Sequence, residues 1–140
     1  MSIVQTTTTS FKAELFQGIH DLTTDTIKIA LYTASADLNA DTTVYSTSNQ
    51  IAATGSYVAG GSQLTPITVS SSTADGTAYV GFPNISWTGT ITARCALIYN
   101  ASKGNKAIAV LDFGSDKTSS NFTITMPANT STTALIRSSN

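Results

Sequence analysis

The chain has 140 residues, 41% of them apolar and only 11% charged, where about 25% charged is usual, and Ser and Thr make up roughly 30% of it. Seven Lys and Arg against eight Asp and Glu give a formal net charge of −1, which leaves no basic face to neutralise phosphates and excludes a nucleic-acid binder. The apolar share excludes a charge-rich disordered tail, and no apolar run approaches the length of a membrane span.

Residues 1–9 end in Thr6-Thr7-Thr8-Thr9. Four β-branched residues in a row favour an extended arm over a helix, which divides the chain into an arm, 1–9, and a single domain, 10–140. Ser10 suits an N-cap, and Phe11, Leu15, Phe16, Ile19 and Leu22 form one apolar stripe. That spacing predicts a helix over roughly 11–21, the only one in the pattern. Glu14 near its start and His20 near its end suit the helix dipole, and Gly18 weakens it.

The remainder reads as strands. Residues 26–33 alternate Ile27, Ile29 and Leu31 against Lys28, Ala30 and Tyr32. Residues 34–49 read as a polar loop, with a short edge strand near Val44-Tyr45. A short strand is expected over 50–53, and Gly60-Gly61 marks a turn. Residues 63–70 form a strand that Pro66 pushes towards an edge or bulge. Another strand covers 77–82, and a short one covers Ile85–Trp87 before a turn at Thr88-Gly89-Thr90. Ile91–Tyr99 and Lys106–Phe113 are two apolar runs joined by a six-residue loop, and so predict a hairpin. Its first strand is expected to carry Ile91, Ala93, Cys95, Leu97 and Tyr99 on one face, and Arg94, Ala96 and Ile98 on the other. Both faces are largely uncharged, as in the middle of a packed layer. Asn121–Met126 and Thr132–Arg137 close the pattern. Short strands separated by turn signals predict a mainly β fold, a β-sandwich with one short N-terminal helix, and a jelly roll as the specific arrangement.

No constellation of residues points to catalysis. His20 is the single histidine, and Asp21 beside it on a helix would face another way. Asp37-Leu38-Asn39-Ala40-Asp41 resembles the start of a calcium loop, but Thr42 replaces the required glycine and Ser48 the bidentate acid. Asx side chains capping their own loop is the simpler expectation. Asp112 and Asp116 flank Gly114-Ser115 and read as a solvated turn. Trp87, Tyr57, Tyr79 and Tyr99 could stack on a ligand, but packing between sheets is the expected use. Cys95, the single cysteine, reads as an inert core residue, and with no second cysteine there is no intrachain disulfide or thiolate cluster. The Asn-x-Ser/Thr matches at Asn84, Asn100, Asn121 and Asn129 arise easily in so Ser/Thr-rich a chain. The first residues lack the basic start and apolar stretch of a signal peptide, which suggests synthesis in a reducing cytosol. No catalytic residue, metal ligand or cofactor site is assigned.

A polar surface with few charges costs less to desolvate against another protein, and low net charge permits dense packing of copies. An uncharged arm can add to a neighbour's sheet edge. On these grounds Ser2, Ile3, Val4, Gln5, Thr6, Thr7, Thr8 and Thr9 of the arm, and Asp37, Asn39 and Asp41 of the loop 34–49, are the expected partner contacts.

Four stretches carry a resemblance: Ile29–Leu38, Gly55–Gly61, Ile91–Asn100 and Ala109–Gly114. In order and spacing, across most of 26–137, the chain resembles capsid cement (decoration) proteins of short-tailed bacteriophages. The resemblance implies a β-sandwich bound to the outside of the major capsid protein shell, made in the host bacterial cytoplasm and self-associated as a dimer or trimer. It supplies no catalytic residues. The alternative within phage structural proteins is a head-fibre or tail-associated module that binds host-surface glycan. A virion-associated hydrolase is disfavoured, because no triad or paired acid set is present.

Overall fold

The computed structural model describes residues 2–139. Met1 of the expected arm and Asn140 of the expected domain lie outside the described residues. The elements run β1 (Thr6–Thr7), α1 (Thr9–Phe16), β2 (Ile27–Tyr32), β3 (Ser62–Gln63), β4 (Thr68–Ser72), β5 (Thr77–Gly81), β6 (Ile85–Asn100), a 3-10 turn (Ala101–Lys103), β7 (Lys106–Ile124) and β8 (Ile136–Ser138). They form two antiparallel sheets, ordered β1-β7-β6-β2-β3 and β4-β5-β8. The fold is the mainly β sandwich expected. The division into five strands and three, with β6 and β7 paired as one long hairpin, does not reproduce the paired Greek keys of a jelly roll.

The larger core lies between the five-stranded sheet on one side and α1 with the small sheet on the other. It joins Phe11, Ile27, Ile29, Leu31, Trp87, Ile98 and Ile108 to Val80 and Ile136. The opposite face of the large sheet is also covered. There Ala30, Tyr32, Cys95, Leu97, Tyr99 and Val110 pack under Ala36 and Leu38 of the 34–49 loop and under Ile3. Burial on both faces explains why Ile29–Tyr32 of β2, Cys95–Tyr99 of β6 and Ala107–Leu111 of β7 carry no charge.

Helix α1 is shorter than its apolar spacing predicts, and Thr8, not Ser10, caps it. The Thr8 hydroxyl accepts the Phe11 N–H at 3.2 Å. At the other end Gly18 N–H bonds Leu15 O, and Ile19 N–H bonds Glu14 O. This is a Schellman closure, which needs the left-handed backbone that Gly18 adopts at φ 71°. Gly18 therefore ends the helix, and His20 lies beyond it.

Three strand expectations change for one reason, the bulges of the long hairpin. Thr88-Gly89-Thr90 is not a turn but a bulge inside β6, where the register to β7 shifts between Thr88 and Ile91. Gly114-Ser115 is likewise a bulge within β7, so Asn121–Ile124 continues that strand. The same irregularity appears on β6 as the register shift between Ala93 and Cys95, and it changes which way side chains point. Ile91 and Ala93 share the larger core with Ala96 and Ile98, while Cys95, Leu97 and Tyr99 face the second core. The single face expected for Ile91 through Tyr99 is split by this bulge. Residues 62–72 also divide. Ser62–Gln63 pairs with β2 in the large sheet, and Thr68–Ser72 pairs with β5 in the small one, with Pro66 in the crossing between them.

Candidate interaction surface

The arm is not free. Thr6 and Thr7 pair with Val110 and Ala109 as the edge strand β1, and Thr8 N–H donates to Ile108 O at 2.9 Å. Thr8 is buried, and its hydroxyl reaches Ala107 O as well as the helix N-terminus. Thr9 opens α1. The expected boundary between an arm and a domain is thus corrected: the exposed edge of β7 recruits residues 6–7 from the same chain. Thr8 has no surface to offer a partner.

The two segments expected to make contacts nevertheless meet. Leu38 N–H donates to Ser2 O at 2.9 Å, and Val4 N–H donates to Leu38 O at 3.0 Å, with Ile3 and Leu38 in a parallel bridge. Ser2 N–H donates to Asp37 Oδ1 at 3.1 Å, and Thr9 N–H donates to Ala40 O at 2.9 Å. Residues 2–4 and 37–40 therefore form one ribbon, held by backbone bonds between positions more than thirty apart in sequence. Gln5 turns elsewhere, and its Oε1 accepts the Asp112 N–H at 3.1 Å.

Within the loop, Asn39 Nδ2 donates to Asp37 Oδ1 at 3.1 Å, and Asn39 Oδ1 accepts the Asp41 N–H at 2.9 Å. The Asx side chains cap their own backbone, the arrangement that fits the failed calcium pattern. Among the described residues no group of three or more His, Cys, Asp or Glu is placed to hold a metal ion. Beside the ribbon lies a depression of about 350 Å³, lined by Asp37, Asn39, Asp41, Val44, Ser46, Ser48 and Asn49 together with Leu38 and Tyr32. Val44 in that lining and Val4 of the ribbon, 49% and 50% exposed, supply apolar surface. The lining mixes the apolar Leu38, Val44 and Tyr32 ring with carboxylates, hydroxyls and amides. The Asp37 and Asp41 carboxylates accept hydrogen bonds, and the hydroxyls and amides both donate and accept. On its other flank Gln5 borders a second groove of about 560 Å³, whose lining includes Leu111, Phe113, Phe122, Met126 and Leu135.

The sequence reading missed the most connected polar cluster. His20 is fully enclosed, with its side chain 0% exposed. Asn100 comes from the end of β6, eighty residues away, and its Nδ2 donates to His20 Nδ1 at 2.9 Å and to Asp25 Oδ2 at 2.8 Å. Asn100 Oδ1 accepts the Ser102 N–H at 3.0 Å. These two outer partners fix which way the amide points, because a carboxylate can only accept and an N–H can only donate. His20 Nδ1 is therefore an acceptor, and Nε2–H donates to Glu14 Oε1 at 2.9 Å. Lys103 Nζ closes the cluster on Asp25 at 2.8 Å. Burial raises the Asp25 pKa, but hydrogen bonds from Lys103, Asn100 and the Asp21 N–H outweigh it and hold the carboxyl at about 2. Both imidazole nitrogens are occupied and out of solvent, so His20 has no free lone pair for a substrate proton. The cluster ties the helix-end turn to the hairpin tip. Only the Asn-Ala-Ser cap pattern at 100–102 hinted at it.

The other single residues fall as the packing view expects. Trp87, Tyr57 and Tyr99 are buried, whereas Tyr79 is half-buried and lines the groove beside α1. Trp87 Nε1–H donates to Ser62 Oγ at 2.8 Å, and its ring meets Tyr57 edge-on at 5.6 Å. Cys95 is a buried free thiol whose pKa burial pushes up to about 11. Asp112 pairs with Arg94 across the β7 bulge and accepts the Gly114 N–H at 2.8 Å. Compared with family models, curated proteins and solved structures, the chain gives no match in any of the three. No helix among the described residues is long and apolar enough to cross a membrane.

Proposed function

We propose that the protein is a non-enzymatic virion structural protein. It is a capsid cement protein that binds the outer surface of the major capsid protein shell, as a homo-oligomer, and stabilises it. The observation that carries this reading is the joining of residues 2–4 and 37–40 into one hydrogen-bonded surface free of Lys and Arg. Because its backbone is already hydrogen-bonded, such a surface loses little conformational entropy on docking. Its sparse charge limits the desolvation cost. The resemblance of the four strand-and-turn stretches to phage cement proteins supports the same reading. The work done is mechanical: each copy adds a modest interface, and many copies together resist internal pressure.

The alternative, a glycan-binding head-fibre or tail module, would use aromatic faces open to a sugar; Trp87, Tyr57 and Tyr99 are enclosed, while half-buried Tyr79 and exposed Phe16 are among the aromatics that reading would have to use. The test adds purified protein to shells that lack it. Deleting residues 2–9 would remove a strand and a helix cap, so it probes folding more than binding. The informative variant is Val4→Lys with Val44→Lys, which changes exposed side chains only. Saturation at a ratio near one copy, or one to a few, per shell protein is expected, with occupancy lost in the double variant. Full occupancy by that variant refutes the surface. A few copies confined to the tail, or saturable binding to host cells, refutes the cement reading.

A further inference from the structure

The small sheet ends on β4, Thr68-Val69-Ser70-Ser71-Ser72, which pairs with β5 along one side only. On an antiparallel edge every second residue aims its N–H and C=O away from the ladder. No other backbone or side-chain group among the described residues hydrogen-bonds to the main chain of these five. Proteins ordinarily blunt such an edge with Lys, Pro or a bulge. Here positions 67–74 hold neither charge nor proline, and the β4–β5 register runs without a shift. In the large sheet, by contrast, β1 from the same chain covers the β7 edge at Ala109 and Val110.

Exposed apolar side chains adjoin this edge. Val69 is 50% exposed and Leu15 is 42% exposed. Both line one groove of about 480 Å³ with Leu22, Val80 and Ile136. Phe16, next along α1, is 93% exposed. An open strand edge continuous with an apolar groove is the geometry of strand addition. Charge selects the occupant. An edge without Lys, Arg, Asp or Glu gives a charged peptide nothing to pair with, whereas an identical edge brings no opposing charge. At a net charge of −1 the whole chains scarcely repel. An antiparallel strand is also its own complement about a two-fold axis.

We propose that two copies associate through β4, antiparallel, to make one continuous six-stranded sheet, β8-β5-β4 followed by the second copy's β4-β5-β8. This sharpens the self-association in the reading above. It is tested on purified protein without shells, so its failure leaves capsid binding untouched, and failure of capsid binding leaves it untouched. Sedimentation equilibrium of the full chain should give a concentration-dependent dimer. Val69→Lys with Ser71→Lys places like charges across the junction and should give a monomer with an unchanged circular dichroism spectrum. Independently, Ser70→Cys sits near the two-fold axis, where paired Cα atoms approach to about 4.5–5.5 Å, within disulfide reach. Mild oxidation should then yield a covalent dimer, while Ser138→Cys on β8 stays monomeric. A wild-type chain that is monomeric throughout, a dimer that survives the double lysine variant, or the absence of a Ser70→Cys cross-link each overturns the proposal.

Discussion

Replacing Asn100 by Ala tests whether the enclosed polar cluster holds the hairpin tip to the helix-end turn. The side chain is fully buried and makes three hydrogen bonds, to His20, to Asp25 and from Ser102. Two neutral bonds contribute about 1 kcal/mol each, and the one to a carboxylate contributes about 1.5–3 kcal/mol. The variant also leaves His20 Nδ1 without its donor inside a sealed site. The expected loss is therefore about 3–5 kcal/mol, which for a domain of this size lowers Tm by roughly 10–20 °C. Lys103→Ala is the control. Its side chain is 37% exposed against 8% for Asp25, and the Asp25 carboxylate keeps its bonds from Asn100 and the Asp21 N–H, so Lys103→Ala should cost less than Asn100→Ala. Thermal and denaturant unfolding followed by circular dichroism measure both. If Asn100→Ala loses under about 1 kcal/mol and keeps the native spectrum, the cluster contributes packing only, and the hydrogen-bond argument fails.

Asp25 gives a pH dependence of fixed sign. Its carboxyl is held at about 2 against an ordinary 3.8. Its contribution is therefore complete above the unfolded value and is lost as pH falls through the folded one. The Tm gap between wild type and Asp25→Asn should narrow between pH 5 and pH 2, and a constant gap would contradict the assignment. Gly61→Ala should cost at least about 3 kcal/mol, since the backbone there is left-handed and a Cβ would overlap the Ile29 carbonyl. Unfolding curves that superpose on wild type would count against that backbone. Cys95, buried with its thiol pKa raised to about 11, should react with a thiol reagent only on opening of the fold. Its labelling rate in native buffer should track the rate measured with denaturant, and rapid stoichiometric labelling of the native protein would place Cys95 at the surface. Thr8→Val should cost about 1 kcal/mol through loss of the α1 cap, read from the same unfolding curves.

The local pattern was legible wherever one period ran undisturbed. Ile27, Ile29 and Leu31 face one core and Ala30 and Tyr32 the other, as strict alternation requires. The pairing of Ile91–Tyr99 with Lys106–Phe113 follows from two apolar runs and the short loop between them. The succession of short apolar runs and turn signals likewise sufficed for the mainly β sandwich, and the composition for a sparsely charged exterior. Propensity and periodicity act over a few residues, so they registered correctly there.

What depended on distant partners could not be seen in the chain. An extended Thr run is equally compatible with a free arm and with an edge strand, and the choice fell to the unpaired edge of β7 at Ala109 and Val110. A glycine between strands signals a turn or a bulge alike. Gly89 and Gly114 became bulges because the paired strand continued past them, and the parity of β6 changed at Arg94 with them. Ser2 with Asp37, and His20 with Asn100, became neighbours only when the sheets closed. Each of those bonds is decided by the register of strands far apart in sequence, a quantity that local preferences do not contain.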